Sequence, residues 1–148
     1  MGIAMDRKVE FNTLIRVEPE RVYDAIATSE GLDGWFTKKA SVDARSGGQI
    51  QFRWRDYGLD HYSGENGGPV LEARRPDRFV FQWKADSGTY YTTVEIDIDR
   101  VDSGSVIHLV EYGYEDNQVG MKDFLNRVSG WAEVLTLMKF YLEHGVTY

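Results

Sequence analysis

The sequence predicts an α+β domain in which a curved antiparallel β-sheet grips a long C-terminal α-helix. Several central segments alternate apolar and polar residues, which is the period of a strand with one buried face. The C-terminal segment repeats its apolar residues with the period of a helix and covers a broad arc. Because a domain buries its core between packed layers, we expect this helix to lie in the hollow of the sheet.

Two short helices are predicted after the first strand. Residues 9–17 alternate partly, as a strand does. Pro19 comes next, and proline is favourable at the first position of a helix, which continues through residues 21–27. Ser29 is predicted to cap a second short helix that runs toward Trp35.

About six antiparallel strands are predicted to follow these helices. The clearest alternating runs are residues 50–54, 79–83 and 90–100, and residues 106–114 are predicted to form a final strand. The serine, glycine, aspartate and proline residues between the runs are typical of tight turns. Residues 64–69 contain the most strand breakers and predict a longer loop or a bulge.

The last helix is predicted to begin near residues 119–122 and to end at Gly145, over about 24 residues. Its apolar residues span roughly 160° of arc, which suits a concave sheet better than a single neighbouring helix. Gly130 lies inside this helix, where glycine costs up to about 1 kcal/mol relative to alanine. Its place at the rim of the apolar face predicts close packing or a bend.

Length and composition predict one domain over residues 1–148 and disfavour several classes of protein. The net charge of −7 argues against binding to nucleic acids or to anionic membranes. No apolar run is long enough to span a membrane, and residues 1–8 lack the apolar stretch of a signal peptide. The absence of cysteine fits a reducing cytoplasm, so we expect a cytoplasmic protein.

No motif predicts a catalytic residue, a metal site or a cofactor. The histidines His61, His108 and His144 are far apart and lack the spacing of metal ligands. The glycine pairs match neither of the common phosphate-binding patterns, and no serine or cysteine nucleophile motif is present. We therefore expect no catalytic residues, no metal and no cofactor, and enzymatic activity is disfavoured.

Four stretches of the chain resemble one protein superfamily. They are "RVEPERVYDAIATSEGLDGWF", "SGGQIQFRW", "VLEARRPDRFVFQW" and "GWAEVLTLMKFYLEHG". They look like the opening strand and helices, a hairpin strand, paired strands and the closing helix of START-like (SRPBCC) helix-grip proteins. Within that superfamily, the chain resembles homologues of the activator of the heat-shock protein 90 ATPase. The resemblance implies a hydrophobic cavity between sheet and helix, and functions that include ligand binding, cyclase or dehydratase activity, and chaperone regulation in the stress response.

Aromatic residues dominate the inward faces of the predicted strands and helix. They could pack as a solid core, or they could line a cavity with a few polar groups. In the second case, hydroxyl groups at the rim are expected from Tyr90, Tyr112 and Tyr141. The residues predicted to bind a ligand are Phe52, Trp54, Phe81, Trp83, Glu111, Trp131, Leu135 and Met138.

The strand over residues 105–114 has two partly apolar faces, and its periodicity does not decide which one points inward. One choice turns Glu111 toward the helix, and the other turns His108. Resemblance to the equivalent strand of the family favours Glu111, with Arg127 of the helix and the inward tyrosines as candidate partners. A role as a buried hydrogen-bond anchor is favoured over general acid–base catalysis.

Three functions from different classes remain open. Binding of an apolar or aromatic small molecule between sheet and helix is slightly favoured, because no catalytic constellation is present. Regulation of a chaperone ATPase rests on the resemblance alone. A cyclase or dehydratase would need a buried acid or base beside the cavity. The expected partners are an apolar ligand and, through the resemblance, a chaperone; neither nucleic acid nor membrane is expected.

Overall fold

Seven antiparallel strands form one curved sheet that holds the C-terminal helix, as a computed structural model of residues 7–148 shows. The elements are β1 (Lys8–Ile15), α1 (Pro19–Ala27), α2 (Ser29–Trp35), β2 (Ser41–Val42), β3 (Gln49–Tyr57), β4 (Tyr62–Arg74), β5 (Arg78–Lys84), β6 (Tyr91–Val101), β7 (Gly104–Tyr112) and α3 (Gln118–His144). The strand order is β1-β7-β6-β5-β4-β3-β2. This arrangement confirms the predicted α+β helix-grip fold.

The core lies between the inner face of the sheet and one face of α3. The helix contributes four buried apolar side chains to it, which are Trp131, Leu135, Met138 and Leu142. They recur at intervals of three or four residues, so they share one face of the helix. Helices α1 and α2 cover the rest of the sheet through buried residues such as Val22, Leu32 and Trp35.

The ends of α3 follow from specific caps. The Asn117 side chain accepts a hydrogen bond from the Gly120 amide at 2.8 Å and starts the helix just before the predicted residues. Gly145 ends it with a φ angle of 69°, which glycine adopts without strain, and this end was predicted. Within residues 7–148, no helix combines the length and hydropathy that crossing a membrane requires.

The cap of α2 differs from the prediction. Thr28, not Ser29, precedes the helix in an extended conformation, and its hydroxyl accepts from the Gly31 amide at 2.9 Å. The Thr28 hydroxyl also donates to the Asp24 carbonyl at 2.6 Å, which joins the end of α1 to the start of α2. Ser29 is the first residue of the helix, so the choice of Ser29 as the cap was wrong by one position.

The segment 64–69 forms part of β4, so the prediction of a loop there was wrong. It pairs with β3 along its length. A Cβ atom at Gly67 would lie 2.3 Å from the Ile50 carbonyl oxygen, a distance that no real side chain tolerates. Glycine, which has no side chain, allows this close approach of the two backbones. The close approach explains why a glycine occurs inside the strand at this position. A bulge does occur further along β4, between Val70 and Glu72.

Candidate functional site

The aromatic residues of β3 and β5 meet α3 on the inner face of the sheet. Ring centroids lie 5.0 Å apart between Phe52 and Trp83, and 5.6 Å apart between Trp83 and Trp131. Phe52 also stacks on Trp54 with the ring planes only 4° apart. Alternation along the strands places these side chains on one face, and the helix adds Trp131 from the opposite layer.

A cleft of about 480 Å³ opens between this aromatic surface and α3. We call it the aromatic cleft. Its aromatic walls are Phe36, Trp54, Tyr57, Tyr62, Trp83 and Trp131. Val134 and Gly130 of α3, together with Ala85 and Gly88 of the turn after β5, complete the apolar part. Polar residues surround the remainder, and they are Glu65, Asn66, Lys84, Asp86, Asn126 and Arg127.

The structure divides the sequence-predicted ligand-binding residues between this cleft and the core. Trp54, Trp83 and Trp131 line the aromatic cleft. The others are buried behind it and do not line it, namely Phe52, Phe81, Glu111, Leu135 and Met138. A solid core therefore describes five of these eight residues, and a lined cleft describes the other three.

Glu111 lies near the C-terminal end of β7 and is fully buried. Its side chain is on the inward face of the strand, as the family resemblance favoured. Its Oε2 atom accepts from the Trp83 indole at 2.7 Å and from the Thr92 hydroxyl at 2.6 Å. Its Oε1 atom accepts from the Trp131 indole at 2.9 Å, and Arg127 also donates to Oε2. The carboxylate therefore holds two walls of the aromatic cleft in place from behind.

Arg127 is the counter-ion of Glu111 and reaches the cleft from α3. Its other nitrogens donate to Asp86 Oδ1 at 3.0 Å and to the Lys84 carbonyl at 2.6 Å. The guanidinium carbon lies 4.3 Å from the centre of a Trp83 ring, which adds a cation–π interaction. Arg127 thus joins α3 to both β5 and β7, as the sequence suggested for its pairing with Glu111.

The turn between β5 and β6, which forms one rim of the cleft, is held by a second buried acid of α3. Asp123 accepts from the Ser87 amide at 2.9 Å, from the Ser87 hydroxyl at 2.8 Å and from the Tyr90 hydroxyl at 2.8 Å. Sequence reasoning missed Asp123 because a lone acid within a helix is normally a solvated residue.

None of the three tyrosines expected at the rim lines the cleft. The Tyr90 hydroxyl is used by Asp123, and Tyr112 projects beside Glu95 on the outer face of the sheet. Tyr141 packs against α2 and lines a separate depression. Two other tyrosines line the cleft instead, Tyr57 of β3 and Tyr62 of β4.

A bulge in β3 brings Tyr57 into the cleft. Residues three positions apart in a regular strand face opposite sides, yet Trp54 and Tyr57 both line the cleft. The register of β3 against β4 shifts between these two residues, and Asp56 has a φ angle of 53°. Such a bulge turns the following side chain to the other face. Alternation alone does not reveal this bulge, so the sequence does not predict Tyr57 at the cleft.

Gly130 borders the cleft, and its surroundings differ from the prediction. Apart from its chain neighbours and the surrounding backbone of the helix, no heavy atom lies within 4 Å of the position that a Cβ atom would occupy there, so no other element packs closely against it. The helix also continues through this residue without interruption. Glycine lowers the stability of the helix at this position, and the space that a side chain would fill is open and belongs to the cleft.

Metal ligands are not grouped in the part of the chain that the structure describes. Between residues 7 and 148, no three His, Cys, Asp or Glu side chains come together as they would around an ion.

We expect alkaline pH to weaken the fold through the tyrosines of this region. Burial raises the pKa of Tyr57 and of Tyr90 to about 12, from an ordinary value of 10.0. Because the folded-state pKa is the higher one, this stabilisation is complete below pH 10.0 and is lost as the pH rises to about 12. The free energy of unfolding in urea, measured across that interval, should fall less steeply for Tyr57→Phe. Identical pH profiles for the two proteins would contradict the assignment to Tyr57.

Comparisons with known proteins agree on the fold. The family model described as activator of Hsp90 ATPase homolog 1-like protein matches residues 16–143. A protein from Staphylococcus saprophyticus superposes with a TM-score of 0.76 at 22% identity, and 96% of each chain is covered. An Aha1 dimer from Colwellia psychrerythraea gives 0.75 at 20%, over 94% of this chain and 98% of the other.

A third structure, an AHSA1-like protein from Aeromonas hydrophila, gives a TM-score of 0.73 at 19% identity over 96% of this chain and 99% of that one. A comparison with curated proteins gives no match. At these identities the solved structures support the fold alone. The family model spans most of the sequence, and on that ground the chain belongs to the activator of Hsp90 ATPase homolog 1-like family.

Proposed function

We propose that this protein binds an apolar, aromatic small molecule in the aromatic cleft. The observation that carries the proposal is the cleft itself, whose volume of about 480 Å³ is that of a small-ligand site. Aromatic walls offer a planar ligand large contact areas with little loss of side-chain freedom.

The fixed position of the walls supports the proposal. Glu111 anchors Trp83 and Trp131 by their indole nitrogens, and Arg127 covers one ring of Trp83. A site whose side chains are already held binds without a large ordering cost. The same contacts argue for Glu111 as an anchor, because its oxygens are occupied and it has no exposed surface.

Chaperone regulation is the second candidate, and the family match favours it. The name of the family refers to activation of the Hsp90 ATPase. The two functions are separable by experiment, since regulation predicts that the purified protein raises the ATPase rate of Hsp90. If the protein raises the ATPase rate of Hsp90 equally with and without a ligand in the aromatic cleft, another surface carries the regulation.

Binding can be measured with a neutral fluorescent probe such as 1-aminoanthracene. Tryptophan emission should be quenched as the probe binds, because Trp54, Trp83 and Trp131 all line the cleft. Apolar competitors should displace the probe and restore the emission. The absence of quenching and of displacement across a broad set of neutral aromatic compounds would contradict the proposed function.

We expect Gly130→Phe to weaken probe binding by about tenfold or more, because the new ring would project into the open space beside Gly130. Ala132→Phe places the same ring on the exposed side of the same helix and should leave binding unchanged. Gly130→Ala serves as a control for folding and should stabilise the protein by up to about 1 kcal/mol. Equal affinities of the two phenylalanine variants would place the probe outside the cleft.

A further inference from the structure

Three charged side chains are buried among residues 7–148, and all three lie in or behind the walls of the aromatic cleft. They are Glu111, Asp123 and Arg127, which are 0%, 3% and 7% exposed. Arg127 lines the cleft, and Glu111 accepts hydrogen bonds from the indoles of two of its walls. Asp123 lies about one helical turn before Arg127 and holds Ser87, whose two neighbours in the chain line the cleft. The buried charges are therefore concentrated around one cavity.

These buried charges do not balance. Glu111 pairs with Arg127, whereas Asp123 forms no salt bridge with any residue that the structure describes. Its oxygens accept only from neutral groups, which are the amide and hydroxyl of Ser87 and the hydroxyl of Tyr90. A buried carboxylate without a cation is unfavourable, because neutral donors replace only part of its hydration. The surroundings of the cleft thus keep one negative charge that no buried cation between residues 7 and 148 balances.

The exposed charges at the rim do not reverse this excess. The carboxylates Glu65 and Asp86 line the cleft. Arg53 lies 3.6 Å from Glu65 in an exposed ion pair. Lys84 also borders the cleft, but it directly follows the inward Trp83 in β5, so its side chain points to the opposite face of the sheet. Two acids and two cations thus offset each other at the rim, where water and salt also screen them.

The aromatic walls also suit a positive charge. The ring of Phe36 is inclined at 69° to Trp54 and at 76° to Tyr57, so the walls do not form one flat stack. Rings that surround a cavity at such angles resemble an aromatic cage, in which the negative ring faces attract an ammonium group. The protein already places one cation on a wall of the cleft, since the Arg127 guanidinium carbon lies 4.3 Å from the centre of a Trp83 ring.

We propose that the ligand of the aromatic cleft is an organic cation, an aromatic compound that carries an ammonium group, and that the unbalanced carboxylate and the aromatic walls together select its charge. This inference rests on the proposed function and makes it narrower. It assigns Asp123 and Glu65 to ligand specificity through their charge, whereas the walls formed by Trp83 and Trp131 contribute contact area.

The test compares two ligands of nearly the same shape, 2-(trimethylammonio)naphthalene and 2-tert-butylnaphthalene, which differ by a quaternary nitrogen in place of a quaternary carbon. Displacement of 1-aminoanthracene from the wild-type protein gives the affinity of each ligand. The cation should bind about tenfold more tightly, because the attraction to the ring faces and to the unbalanced carboxylate acts on the cation alone. Equal affinity for the two ligands would overturn the inference and leave the proposed function intact, whereas binding of neither would overturn both.

Variants that remove one carboxylate locate the origin of this preference. Asp123→Asn removes the buried charge and should lower the affinity ratio by about threefold or more, with the affinity for the hydrocarbon unchanged. Glu65→Gln changes only an exposed rim residue, so it provides the test should Asp123→Asn fail to fold, and it should lower the ratio by about twofold. Glu10→Gln is the matched control, because it removes an exposed acid from the edge strand β1, which does not line the cleft. Equal changes in Glu65→Gln and Glu10→Gln would attribute the preference to the overall net charge and would overturn the inference.

Discussion

Replacement of Glu111 by leucine is expected to destabilise the protein by about 3–5 kcal/mol. The reason is that Arg127, which is 7% exposed, would lose the carboxylate that balances its charge in the core. The indoles of Trp83 and Trp131 and the Thr92 hydroxyl would lose their acceptor at the same time. Urea unfolding followed by circular dichroism measures the change in the free energy of unfolding.

The double variant Glu111→Leu/Arg127→Met tests this explanation. Removing both charges avoids a buried guanidinium that keeps only the partly exposed Asp86 as its counter-ion, so the double variant should be less destabilised than the sum of the two single variants. Recovery should be incomplete, because the two indoles and Thr92 still lack an acceptor. Strictly additive effects would show that Glu111 and Arg127 do not stabilise each other.

Replacement of Leu135 by alanine is expected to cost about 2–5 kcal/mol, since it removes buried methyl groups and leaves a cavity between α3 and the sheet. Leu135 is 4% exposed, in the middle of the buried face of the helix. Leu125→Ala is the matched control, because Leu125 lies on the same helix with 56% of its surface exposed. The control should change stability by less than about 0.5 kcal/mol.

The comparison of Leu135→Ala with Leu125→Ala separates packing from helix propensity. Both variants replace leucine with alanine within one helix, so their intrinsic helix propensities change by the same small amount. The difference between them therefore reports the burial of Leu135 against the sheet. Equal unfolding midpoints for the two variants would contradict the position of α3 in the fold.

Most of the fold could be predicted from the sequence, because apolar residues recur with a different period in strands and in helices. The alternation around Phe52, Phe81 and Ile96 defined strands, and the spacing of Trp131, Leu135 and Met138 defined the helix and its buried face. These are local signals, since each strand and helix must bury one face of its own.

The same local rules failed where two strands come unusually close or leave their regular course. The glycines of β4 were interpreted as a loop or a bulge, because nothing in the local sequence shows that Gly67 and Gly68 lie against the carbonyl oxygens of Ile50 and Gln82 in the neighbouring strands. Tyr57 was missed because a bulge reverses the face of the strand. Neither the close approach nor the bulge produces a repeating pattern of apolar residues by which it could be predicted.

Local patterns in the sequence were enough to predict the order of the elements, the buried face of α3, and an aromatic inner surface with either Glu111 or His108 as its ionisable group. Other features depend on contacts between distant parts of the chain: Glu111 faces α3 because β7 pairs with both β1 and β6 in one register. The same contacts leave Trp54, Tyr57 and Gly130 around the cleft, with Phe52 and Leu135 buried deeper. The physical reason is that periodicity assigns a residue to a face, whereas the space left above that face depends on how separate elements pack.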